Sequence, residues 1–258
     1  MRYFLELAYN GTRYHGWQVQ ANAHTVQAEL NRALETLLRH PADTLGSGRT
    51  DTGVHAEQQF VHFDTAVELK PDQFLRSLNA LLPPDISAGG LWPVAADAHA
   101  RYDAVSRSYQ YRICHGKNPF LQKMCYRYSV RPDVAKINEA AAALLRHTDF
   151  ECFSKVKTDV NHFRCTITEA FWLYEDDLLV FRITANRFLR GMVRAVAGTL
   201  LEVGEGRMDA AGFEEIILAK DRTRAGRAVP PEGLFLTKVI YPEETFQRKK
   251  SEAVSNKP

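Results

Sequence analysis

The densest chemical segment of the sequence is Gly46-Ser47-Gly48-Arg49-Thr50-Asp51-Thr52-Gly53-Val54-His55-Ala56. Three glycines within eight residues require tight turns or close backbone approaches. Between them stand a guanidinium, a hydroxyl and a carboxylate, groups from which a helix or strand interior gains nothing. The functional reading is a loop that presents these groups for chemistry. Arg49 lies two residues from Asp51, so an extended segment points both the same way and a turn separates them. The plain structural reading is a surface turn closed by an Asx-type hydrogen bond at Asp51. On the residues alone the two readings stand about even. The segment is no phosphate loop, because it lacks both the lysine of a triphosphate site and the glycine spacing of a dinucleotide fold.

Other residues offer chemistry more quietly. Arg107, Tyr109 and Tyr111 are in phase on one strand face. Burial in the core is the usual fate of a tyrosine in a strand. Arg190 and Arg194 are four apart on a helical pattern, facing solvent or phosphate. Leu234 opens the last strand as an apolar wall or an ordinary core residue. His55 titrates near neutrality but reads as structural, and no histidine pairs with Asp or Cys at metal-ligand spacing. Cys114, Cys125, Cys152 and Cys165 form no Cys-x-x-Cys pair, which suits free thiols in a reducing, cytoplasmic setting.

The elements that must hold these groups follow from periodicity. Tyr3, Leu5, Leu7 and Tyr9 share one face of a strand that Asn10-Gly11 stops. Thr25 caps a helix whose stripe of Val26, Leu30, Ala33, Leu34, Leu37 and Leu38 runs to Pro41. A strand over 58–65, a helix over 74–82 and a strand over 106–115 follow, with an irregular stretch around 41–57. The second half has helices over 134–145, 188–203 and 208–218. Its strands cover 165–174, 178–185 and 234–241, and Glu175-Asp176-Asp177 makes a hairpin turn. The expected class is α+β, with two ferredoxin-like (RRM-like) halves, a mixed and mainly antiparallel sheet, and a cleft between the halves. The expected divisions are 1–105 with the reactive loop, 106–245, and a flexible basic tail over 246–258. No sequence repeat supports a duplication.

Length and charge bound the function. The 258 residues, 45% apolar and 25% charged, are ordinary for a folded globular chain and exclude disorder or a disulfide-stapled miniprotein. No apolar run approaches the roughly 20 residues of a membrane span, and Glu6 interrupts any signal-peptide pattern at the N-terminus. The net charge of +2 conceals an asymmetry, with −3 over residues 1–110 and +5 over 111–258. That excess alone does not establish a nucleic-acid partner.

The run Gly48-Arg49-Thr50-Asp51-x-Gly53-Val54-His55-Ala56 resembles the signature of the TruA family of tRNA pseudouridine synthases. Four further motifs resemble that family in the same order. They are Tyr9-x-Gly11-Thr12-x-Tyr14-x-Gly16-Trp17-Gln18-x-Gln20, Arg107-Ser108-Tyr109-Gln110-Tyr111, Phe188-Leu189-x-x-Met192-Val193-Arg194 with Gly198, and Pro231-x-Gly233-Leu234-Phe235-Leu236. The likeness runs from Tyr3 to Pro242. Asn10 stands where the family usually has Asp, and Phe235 where it usually has Tyr; both departures touch local hydrogen bonding only.

The resemblance implies a pseudouridine synthase fold and isomerisation of uridines at positions 38, 39 and 40 of the tRNA anticodon arm. It implies that Asp51 is the catalytic carboxylate and that Arg49 holds the RNA with the target base extruded. It implies that Arg194 pairs with Asp51 inside a closed pocket, and that Tyr109, Arg107 and Leu234 contact the substrate. Breaking the glycosidic bond, rotating the uracil and joining its C5 to C1′ changes no oxidation state, so no cofactor and no metal are expected. Whether Asp51 attacks C1′ or removes the 2′ proton stays open. The expected partners are tRNA and a second copy of the chain, in a homodimer without membrane contact. A non-catalytic RNA-binding module is the alternative, since ferredoxin-like sheets commonly stack bases on strand aromatics. It leaves the carboxylate of the glycine-rich loop without a purpose.

Overall fold

The structure, a computed structural model, describes residues 1–155 and 161–246. The first half runs β1 (Arg2–Tyr9), α1 (Val26–Leu38), β2 (Leu45–Gly46), β3 (His55–Asp64), α2 (Pro71–Leu81) and β4 (Ile86–Val94). The second runs β5 (Ser106–Cys114), β6 (Tyr126–Arg127), α3 (Val134–Ala141), β7 (Ile167–Glu175), β8 (Leu178–Ala185), α4 (Met192–Gly204), α5 (Ala210–Ala219) and β9 (Leu234–Ile240). In the first half the strands lie in the order β4-β1-β3-β2, and in the second β9-β5-β8-β7, with every neighbouring pair antiparallel. Setting aside β6 and α5, both are the same βαββαβ unit with its strands ordered fourth, first, third, second. The ferredoxin-like connectivity therefore occurs twice in a chain without a sequence repeat.

The halves join into one sheet, β4-β1-β3-β9-β5-β8-β7. Its seam is parallel and short: His55 pairs with Phe235 and Ala56 with Leu236. A hydrophobic core lies in each half. Tyr3, Leu5, Leu7, Val61 and Phe63 pack with Leu30 and Leu34 of α1 and with Phe74 and Leu78 of α2. Ile113, Trp172, Phe181 and Ile183 pack with Ile137 of α3, Val196 and Leu200 of α4, and Phe213 of α5. Each fully buried aliphatic side chain contributes roughly 1.5–3 kcal/mol. Tyr109 touches both cores.

Several elements depart from their expected form. β4 lies outside the strands that periodicity predicts, because Gly89-Gly90 and Pro93 weaken its pattern; as an edge strand it tolerates the proline. β3 begins at His55, three residues earlier than periodicity suggested, because pairing with β9 extends it. The helix expected from 188 starts only at Met192, after the left-handed Gly191 (φ 73°). It is also buried nearly all round rather than on one side, since α3 and α5 pack against it. Of the expected tail, Phe246 is described and packs edge-on against Phe4, Trp92 and Tyr241; residues 247–258 lie outside the described residues.

Candidate active site

The glycine-rich segment forms the connection between β2 and β3, and it ends where β3 meets β9 at the seam. The turn after β1 makes its floor. Trp17 N–H donates to the Thr50 carbonyl at 3.2 Å, and Gly53 N–H donates to the Tyr14 carbonyl at 3.2 Å. Beneath them the buried hydroxyls of Tyr9 and Thr50 are 2.8 Å apart. The contact is close enough to exclude side chains. A Cβ on Gly11 would stand 1.9 Å from the Val54 carbonyl oxygen, and one on Gly16 2.4 Å from that of Thr50. The motif around Tyr9–Trp17 is thus a bed for the loop. Val54, although it follows this loop, buries its side chain in the core of the second half.

Asp51 faces that half. Its Oδ2 lies 3.4 Å from Nη1 of Arg194 and its Oδ1 3.9 Å from Nε of Arg190. Arg194 sits in the first turn of α4 and is fixed by its own Nε, which donates to the Val229 carbonyl at 2.7 Å. Arg190 precedes the helix and is more exposed, at 60%. The pocket is more open than the resemblance implied: Asp51 keeps 34% of its side chain accessible and Arg194 21%. The arrangement leaves the carboxylate partly open between two cations, with room to meet a reacting group.

Tyr109 stands in the middle of β5, half-buried, with its ring edge-on to Phe188 at 5.1 Å. Burial pushes its phenol up to about 12, with the charge of Arg107 opposing and the nearby charge of Asp51 adding. The phenol is therefore a neutral donor at physiological pH, and its hydroxyl makes no hydrogen bond among the described residues. Arg107 is a brace behind the loop. Its guanidinium donates to the carbonyls of Ser47, Arg101, Ala104 and Asn186, so it ties the base of the Asp51 loop to the segment leading toward Arg190 and Arg194.

The structure brings Asp51, Arg194, Arg190 and Tyr109 to one place, with Arg107 one layer behind. Arg49 is exposed on the same loop and has no ion-pair or hydrogen-bond partner among the described residues. Leu234 is buried at the start of β9 opposite Tyr111, whose hydroxyl donates to the Pro230 carbonyl. His55 is buried, accepts the Gly11 N–H on Nδ1 and stacks on Phe235; burial pushes its pKa down, so it stays neutral. Sequence reasoning assigned no part to Phe188, Thr50 or Tyr9, although each stands in one of the recognised motifs. Among the described residues, no three His, Cys, Asp or Glu side chains form a metal cluster, and no helix is long and apolar enough to cross a membrane.

The chain matches the tRNA pseudouridine synthase family over residues 7–103 and 140–242. It is 48% identical over 246 residues to tRNA pseudouridine synthase A of Parabacteroides distasonis, covering 95% of this chain and 98% of that protein. The protein of the same name from Porphyromonas gingivalis is 46% identical, with 95% and 99% covered. That of Exiguobacterium sibiricum is 39% identical, with 94% and 97% covered. The matched stretches include the Asp51 loop, the bed beneath it and the start of α4, and likeness of this extent makes the chain a member of the tRNA pseudouridine synthase family.

Proposed function

We propose that the protein isomerises uridine to pseudouridine at positions 38, 39 and 40 of the tRNA anticodon arm, with Asp51 as its catalytic carboxylate. One observation carries the reading: a carboxylate on a loop bedded against the turn after β1, paired with Arg194 and Arg190 and near enough to a half-buried Tyr109 for its charge to act on the phenol. In the reaction the N1–C1′ bond breaks, the uracil turns, and C5 bonds to C1′; the C5 proton leaves and N1 gains one. Asp51 meets the sugar as nucleophile at C1′ or base at C2′, since both roles need one ionised carboxylate. Tyr109 gives the extruded uracil a ring to pack on, and Leu234 closes the apolar side. Arg49, exposed at the loop, fills the gap the base leaves or grips the adjoining phosphate; extrusion costs a few kcal/mol of stacking.

The test is Asp51→Asn, which keeps shape and removes the charge. Pseudouridine in anticodon-arm RNA is expected to vanish while RNA binding and thermal stability stay near wild type. Turnover within several-fold of wild type removes Asp51 from the mechanism. Sequencing the modified positions in tRNA tests the assignment to 38, 39 and 40.

The same reading includes a cytoplasmic homodimer. Four buried free thiols support a reducing compartment. A tRNA is longer than one 29.2 kDa protomer, so two copies give it a longer surface. Light scattering at assay concentration is expected to report a dimer, and a fully active monomer overturns that part.

A further inference from the structure

One exposed aromatic residue near the site has no part in the chemistry above. Tyr102 leaves 74% of its surface open, yet the backbone under it is tied down on every side. Ala100 N–H donates to Nδ1 of His62, and the N–H groups of Arg101 and Tyr102 both donate to Nδ1 of His99. His99 N–H donates to the Asp103 carboxylate, and the Ala100 carbonyl accepts from the Tyr241 hydroxyl. The ring itself rests against His99, with centroids 4.3 Å apart, and the Arg101 guanidinium lies 5.6 Å from its centre. A solvent-facing loop gains little from such restraint. A recognition surface does, because order established before binding is not lost on binding.

Its place is set by Arg107. One guanidinium nitrogen donates both to the Arg101 carbonyl and to that of Ser47 at the base of the Asp51 loop. The other reaches the Asn186 carbonyl, on the segment leading to Arg190 and Arg194. Tyr102 therefore follows a residue that Arg107 bonds to the base of the Asp51 loop and to the segment before Arg190, which places it on the rim of that region. The rim is cationic: Arg101 and Arg187 lie close enough to Arg107 to hold its pKa down further, and Arg49 and Arg190 are exposed beside Asp51.

We propose that Tyr102, flanked by Arg101, is a stacking platform for an unpaired base of the substrate RNA next to the uridine being isomerised. The inference rests on the anticodon-arm reading above. An exposed ring held by a fixed backbone, with the Arg101 guanidinium over it, offers a π-face to the base and a cation to its phosphate. Stacking of this kind is tolerant of base identity, as an enzyme acting on several neighbouring uridines requires.

The experiment uses the full chain and a synthetic anticodon-arm stem-loop. Tyr102→Ala and Tyr102→Leu are expected to weaken binding about tenfold, and Tyr102→Phe to restore it. Stem-loops with one loop base removed at a time then locate the partner. At a single position, base removal weakens the wild-type protein by the same factor and the Tyr102→Ala protein no further. The platform is overturned if Tyr102→Ala binds like wild type, as it would were the ring idle or reserved for a protein partner. It is equally overturned if Tyr102→Ala loses the same factor whichever base is missing. Pseudouridine formation by the wild-type protein is read separately, so failure of the anticodon-arm reading shows as absent product whatever the binding pattern.

Discussion

Oδ2 of Asp51 and Nη1 of Arg194 meet at 3.4 Å although 143 positions separate the two residues in the chain. The contact spans the seam: Asp51 comes from the β2–β3 connection of the first half, Arg194 from the first turn of α4 in the second. Any shift between the halves therefore moves the carboxylate relative to its counter-ion.

Arg194→Ala is expected to slow single-turnover pseudouridine formation at saturating RNA much more than it weakens binding, because the arginine aims a carboxylate. The pair is part-exposed, so the loss of stability stays within about 1 kcal/mol rather than the roughly 3–5 kcal/mol of a fully buried pair. Arg190→Ala, removing a longer and more exposed contact, is expected to cost less rate. Rates beside binding constants over a salt series decide. A loss of affinity alone, with a shallower salt slope, identifies Arg194 as a phosphate contact.

Arg107→Lys is expected to fail as a substitute. A single ammonium cannot span the carbonyls of Ser47, Arg101, Ala104 and Asn186, and each one left without a donor costs about 1–3 kcal/mol where it is buried. Urea unfolding should show the lower stability, and the saturated rate should fall with it. Wild-type stability with weaker RNA binding makes Arg107 a substrate contact instead of a brace.

Gly16→Ala and Gly48→Ala separate the bed of the loop from its free side. At Gly16 the backbone is left-handed (φ 90°) and a Cβ would stand 2.4 Å from the Thr50 carbonyl oxygen, so a loss of stability above about 1 kcal/mol is expected, with activity falling too. At Gly48 nothing lies within 4 Å of a Cβ, so stability should barely change. Equal melting temperatures for the two variants contradict this account of the loop.

Acid should destabilise the fold through His62. Burial pushes its pKa from 6.5 down to about 4, with the charges of Arg2 and His99 adding, and the neutral ring accepts the Ala100 N–H on Nδ1. The unfolded chain binds this proton more readily, so the contribution is complete above about pH 6.5 and declines as pH falls toward 4. Its size is on the order of 3 kcal/mol. His62→Gln is expected to flatten the dependence of unfolding free energy on pH across that window. An unchanged slope assigns the acid sensitivity to other groups.

Much of this protein is legible in its sequence, wherever the signal is local. The alternation in β1, the cap at Thr25 and the extent of β8 follow from side-chain periodicity, because each depends on neighbours a few residues away. The composition of the Asp51 loop is likewise a local fact, and the ordered motifs around it point to one enzyme family. The tertiary structure decided what depends on distant partners. β4 exists because β1 offers it an edge, and β3 begins early because β9 returns from the end of the chain to pair with it. The doubled βαββαβ unit lies in strand order, which side chains need not repeat. Gly11 and Gly16 become a floor only when the loop lies on them, and Arg107 becomes a brace only when four carbonyls from separate segments converge. Charge and spacing leave Asp51 free to face solvent, Arg49 or any other cation. The choice of Arg194 follows from packing, since α4 is buried nearly all round and its first turn has one place to stand, across the seam from the loop.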